Sequence, residues 1–133
     1  MKKILLAYDG GEPARRALET AAELARAFHA PVSVVSVVPD RAGCAAGGAS
    51  IDASARALEL QEAKRLLSAM GIDVELLEPS GDPAGRIEQI ADEGGFDTIV
   101  IGSGDGTPID HAFRGSVSRH VVAHAAATVV VAH

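Results

Sequence analysis

Ile99-Val100-Ile101-Gly102 is an apolar run closing on glycine, and Gly115-Ser116-Val117-Ser118 follows it as the opening of a helix. A buried strand that ends in a glycine turn and leads to a helix opening on Gly-Ser is one way α/β proteins hold phosphate. Unpaired amides, the positive end of the helix dipole and a hydroxyl donor converge on the anion. Between the two stands Asp105, flanked by Gly104 and Gly106. A carboxylate there opposes a bound phosphate, and a Mg²⁺ ion bridging it to phosphate oxygens would relieve the conflict. Asp9, just past the first apolar run, is a second candidate, either as an acceptor for a ligand at a strand end or as a cap for the helix that follows.

Other chemistry-bearing groups carry less. His111 lies near Asp105 and Asp110, but in an irregular segment that fixes no metal geometry. His120 and His124 stand four residues apart on a helix, a spacing that binds zinc; the sequence beside them offers no third ligand, so they read as an ordinary helix face and no metal site is assigned. Cys44 is a lone cysteine among small residues and forms no internal disulfide, which fits a reducing, cytoplasmic compartment. No nucleophile and base pair is visible, so no catalytic residue is assigned. A receiver-type phosphotransfer protein needs a lysine after the fifth strand, where this chain has Val131-Ala132-His133.

The 133 residues fit one domain, 1–133, large enough to bury roughly two thirds of the unfolded surface. With 47% hydrophobic residues, 3% aromatic and no Trp, the core must be built from Val, Ile, Leu and Ala, as in close-packed α/β layers. A net charge of -6 with scattered basic residues argues against nucleic acid as a partner. No apolar run approaches the ~20 residues that span a bilayer, and Tyr8-Asp9-Gly10 cuts the first one too short for a signal peptide.

These residues must be positioned by alternating elements. Apolar runs at 3–8, 32–38, 98–101 and 128–132 are strands, and 73–77, which alternates, is the third of the five. Helical spacing places Ala14, Ala17, Leu18, Ala21, Ala25 and Phe28 on one face of 13–28, and Ala53, Ala57, Leu60, Ala63, Leu67 and Met70 on one face of 51–70. A third helix starts at Asp82-Pro83, its apolar face formed by Ala84, Ile87, Ile90 and Ala91, and a fourth covers 117–124. Residues 41–50 lack periodicity and read as a mobile loop able to act as a lid. Strands separated by helices run parallel with right-handed crossovers, giving a three-layer α/β sandwich. With the strands ordered 3-2-1-4-5, the ligand crevice falls between strands one and four.

Ala7-Tyr8-Asp9-Gly10, Gly81-Asp82-Pro83-Ala84 and the Gly102 to Ser116 segment, in that order, resemble the universal stress protein family of adenine-nucleotide-binding, α-hydrolase-like proteins. The resemblance covers essentially the whole chain. Its nucleotide-binding members show Gly, two residues, Gly, nine residues, Gly, then Ser or Thr. Gly102 and Gly115-Ser116 match the outer positions, while Asp105 replaces the second glycine and Asp9-Gly10-Gly11 stands where the family has Asp-Gly-Ser. The resemblance implies a non-enzymatic stress protein binding ATP or AMP, with Asp9 on the ribose or adenine side and Val37 lining the base. Gly102, Gly104, Gly115, Ser116 and Val117 then bound the phosphates, with Asp105 weakening that site. A related dimer that binds no nucleotide and acts through protein contacts is the alternative. In either case Thr128 to Ala132, an apolar strand at the sheet edge, is expected to join a homodimer.

Overall fold

Strand runs apolar at every position must have both faces covered, whereas the helices need only one apolar stripe, and this asymmetry sets the layers. The computed structural model describes residues 2–8, 11–37, 46–102 and 115–132, with backbone alone over 46–56 and 115–119. In chain order the elements are β1 (Ile4–Ala7), α1 (Glu12–Phe28), β2 (Val32–Val35), α2 (Ala46–Ala69), β3 (Val74–Leu77), α3 (Pro83–Gly94), β4 (Thr98–Gly102), α4 (Gly115–His124) and β5 (Thr128–Ala132). The strands form one parallel sheet in the order β3-β2-β1-β4-β5, as the sequence predicts.

Side chains alternate between two cores. Ile4 and Leu6 from β1 and Tyr8 just after it, with Val32, Val34 and Val100, pack under α1 and α2 on Ala17, Ala21, Leu60 and Leu67. Leu5, Ala7, Val35, Ile99 and Ile101 face the other way, onto Ile87 and Ala91 of α3 and Val121 of α4. The alanine stripe of α1 lets that helix lie close on β1 and β4, which it contacts together. Asp82 caps α3 as its sequence suggests: its carboxylate accepts from the Gly85 amide at 2.9 Å, with Pro83 at the first helical position and Gly95 left-handed at the end.

Four expectations change. The helix predicted over 51–70 is α2, which starts at Ala46, because elongating an existing helix costs far less than nucleating one, so its first turn runs through Gly47 and Gly48. Residues 46–50 are therefore helix rather than loop, and 41–45 lie outside the described residues. The second strand stops at Val35 and not at Val38, because its register partner on β3 is Leu77, the last residue of that strand. Phe28 and Met70 are substantially exposed, since each sits where its helix leaves the sheet, Phe28 just before the left-handed His29 and Met70 just past Ala69; Ala57 is exposed as well.

At the N-terminal ends of the strands, Asp97 binds the first strand to the fourth. Its carboxylate accepts from the Lys2 amide at 2.7 Å, the Lys3 amide at 3.2 Å and the Thr98 hydroxyl at 3.1 Å. These donors, the Lys2 amide foremost, hold its acidity below the usual carboxylate value of 3.8. A carboxylate shifted downward stabilises the fold fully above its ordinary value and loses that contribution as the pH falls through the folded one. Asp97→Asn should therefore melt below the native chain at neutral pH, and the gap should close as the solution is acidified below 3.8. Thermal melts at both pH values check this; a gap independent of pH would assign the effect to packing instead of charge.

Candidate functional site

Right-handed βαβ connections put every helix N-terminus beyond the C-terminal end of the strand it follows. In this sheet α1 and α2 cover one face and α3 and α4 the other, and the winding reverses at β1, between β2 and β4. The C-terminal ends of those strands are Ala7 with Tyr8, Val35 with Ser36 and Val37, and Gly102.

Gly102 is the last residue of β4 and pairs in register with Ala132; it is strand, not turn. Its glycine is required by space, since its φ lies outside the left-handed region. A Cβ there would stand 2.5 Å from the carbonyl carbon and oxygen of Pro13, in the first turn of α1. Val37 is wholly buried with Leu5, Ala7 and Ile101 in the α3 and α4 core. Gly115, Ser116 and Val117 form the first turn of α4, two residues earlier than the predicted start, so their amides are among those that lack partners within the helix. Asp9, Gly104 and Asp105 lie outside the described residues. The N-cap of α1 is Gly11.

Two features of this end were not singled out in the sequence. Ser36 is fully buried, its amide donates to the Leu77 carbonyl at 3.0 Å, and its hydroxyl has no partner among the described residues. A polar residue inside the valine run 32–38 was the available signal, since a buried hydroxyl without a partner calls for one. Tyr8 is buried at the end of β1, and burial, followed by the nearby Glu62 carboxylate, raises its phenol above 10.0 while the Arg15 guanidinium opposes the shift. Arg15 in turn pairs with Glu62 at 3.5 Å, linking α1 to α2 beside this strand end.

On the α3 and α4 face, packing of Ile87 and Val121 into the core sets Glu88 against His120, their Oε2 and Nε2 atoms 3.4 Å apart. Glu88 comes from an earlier helix than the two histidines, so no local sequence pattern joins the three. Two clefts lie away from the β1 and β4 ends. One, of about 480 Å³, is lined by Arg26, His29, Pro31, Gly71 and Asp73; the other, of about 440 Å³, lies between β3 and α3 and includes Lys3, Arg86, Glu93 and Phe96.

The universal stress protein family model matches residues 1–133. Among solved structures, the universal stress protein from Archaeoglobus fulgidus is 28% identical, with a TM-score of 0.81, covering 100% of this chain and 99% of its own. The universal stress protein from the same organism in complex with dAMP is 27% identical, with a TM-score of 0.77, covering 100% and 98%. A universal stress protein family member from Burkholderia pseudomallei is 27% identical, with a TM-score of 0.80, covering 98% and 94%. No curated protein matches the chain in sequence.

The close approach at Gly102 carries a direct consequence. Gly102→Ala should destabilise the fold by about 1–3 kcal/mol, the usual cost of forcing a methyl into a packed contact. Urea unfolding measures it, and unchanged stability would mean that the first turn of α1 yields freely.

Proposed function

The chain belongs to the universal stress protein family, and we propose that it serves there as a non-enzymatic binder of an adenine nucleotide, ATP or AMP, at the C-terminal ends of β1, β2 and β4. The observation that carries this reading is the reversal of winding beside β1, with the first turn of α4 following Gly102 across the same end of the sheet. The dAMP complex of the Archaeoglobus fulgidus relative supports the ligand class.

In this reading Val37 is the apolar floor under the base, and Asp9 accepts from the ribose hydroxyls. The unpartnered Ser36 hydroxyl at the same strand end is a group that a bound polar ligand or water would satisfy. Gly102, Gly104, Gly115, Ser116 and Val117 bound the phosphates through backbone amides and one hydroxyl. Asp105 is the discordant residue, and Mg²⁺ is the ion proposed to bridge it to phosphate oxygens, because hard oxygen donors suit that cation. The chain works without turnover in the cytoplasm, as a homodimer joined through Thr128–Ala132. That strand is at the sheet edge, with Val129, Val130 and Val131 only partly covered and open backbone groups alongside. No helix among the described residues is long and apolar enough to cross a membrane.

A carboxylate ~4 Å from a phosphate charge costs about 1 to 4 kcal/mol at dielectrics between water and protein surface, and each ~1.4 kcal/mol is tenfold in affinity. Metal-free ATP is therefore expected to bind weakly and adenosine to suffer less, with Mg²⁺ partly restoring ATP. Asp105→Gly should tighten ATP more than adenosine. Isothermal titration of both ligands into both proteins, with and without Mg²⁺, decides: equal ATP affinities would place Asp105 away from the phosphates, and no binding of either ligand would favour the dimer that acts through protein contacts. The dimer itself is expected in sedimentation at micromolar concentration, and a monomer there would refute the β5 interface.

A further inference from the structure

Glu88, His120 and His124 bring one ligand atom each to within 4.8 Å of one another at the rim of the α3–α4 contact. Three details distinguish this group from an incidental surface cluster. The two imidazoles stack with ring centres 4.2 Å apart, so both nitrogen donors occupy the same small volume. The His124 Nδ1 lies 2.9 Å from the His120 carbonyl, which can only accept, so the neutral His124 ring carries its proton on Nδ1 and keeps the Nε2 lone pair free. That is the arrangement in which a metal-binding histidine is oriented by a backbone carbonyl behind it. Finally, Glu88 faces His120 through Oε2 at 3.4 Å while its Oε1 is buried with no hydrogen-bond partner among the described residues. A buried carboxylate oxygen left unpaired costs free energy that a cation held by both oxygens of Glu88 would recover.

We infer that Glu88, His120 and His124 form a binding site for a divalent transition-metal ion of the zinc type. The donor set is two imidazole nitrogens and one carboxylate, which suits Zn²⁺, Co²⁺ or Ni²⁺ and is a poor set for Mg²⁺, whose preferred ligands are all oxygen. Donors ~2.05 Å from a tetrahedral centre are about 3.3 Å apart, and the Glu88–His120 separation of 3.4 Å already has that span. The three ligand atoms already lie within 4.8 Å of one another, so a small shift of the exposed His124 ring, with its Nδ1–H kept on the His120 carbonyl, brings in the third donor, and solvent completes the shell. The net charge of -6 favours cation capture. The bound ion would clamp α4, the helix that opens at Gly115, onto α3. The site stands independently of the nucleotide reading and shares no residue with it.

The test is Zn²⁺ binding to the full chain after chelator treatment, followed by calorimetry and by thermal melts, with Co²⁺ as a visible reporter of coordination. One equivalent of Zn²⁺ is expected to bind and raise the melting temperature, with Mg²⁺ unable to compete. His124→Gln and Glu88→Gln should each weaken binding at least ~tenfold and remove the metal-dependent rise in melting temperature. His29→Gln, on the far side of the sheet, should change neither. Since His124 is exposed, its variant is expected to fold normally, and a metal-free melt equal to the native one verifies this. Native-like Zn²⁺ affinity in both glutamine variants, loss of binding in His29→Gln, or no Zn²⁺ binding by the native chain at micromolar concentrations would overturn the assignment.

Discussion

The first turn of α1 rests on the end of β4 so closely that no side chain fits between them: the Pro13 carbonyl occupies the space a Cβ on Gly102 would need. Much depends on that contact. It lets a helix rich in alanine cover β1 and β4 together, burying Ala14, Ala17 and Ala21, and it fixes where β1 hands over to α1 at the reversal of the sheet. The parallel register does the rest. Ile4 is flanked by Val32 on one side and Thr98 on the other, so the ends of β1, β2 and β4 come level at one rim of the sheet.

The fold was legible because each local signal agreed with its neighbours. Strand runs without polar alternation required two covered faces, Asp82-Pro83 marked a helix start that the capped α3 confirms, and the valines of 128–132 form β5 at the expected residues. Legibility ended where cooperativity or tertiary packing decided. Gly47 and Gly48 are poor helix formers, yet they extend α2 because the turns after them are already formed. Phe28 fits a helical stripe by spacing alone and is exposed because α1 runs past the sheet there.

The candidate site divided in the same way. Gly102 stood out by its place after an apolar run, but its steric need against Pro13 depends on a distant helix and has no trace in local sequence. Glu88 was invisible for a related reason: its significance comes from α3 packing beside α4, not from any spacing to His120 and His124. Ser36 was the reverse case, a polar residue within a buried strand run that was open to view and passed over. The two groups of polar atoms call for different cations. In the proposed nucleotide site Asp105 would give an oxygen to a hard ion shared with phosphate, whereas the proposed α3–α4 site would give imidazole nitrogen, so the two would not compete for one metal.

The proposed adenine nucleotide lies across the C-terminal ends of β1, β2 and β4. Amide shift mapping of the isotopically labelled protein during addition of AMP tests it most directly. The largest changes are expected at Tyr8, Ser36, Val37, Gly102 and Gly115–Val117, with Lys3, His29 and Asp73 at the opposite end of the strands unmoved. Changes confined to the cleft around Arg26, His29 and Asp73, or to the one between β3 and α3, would contradict it.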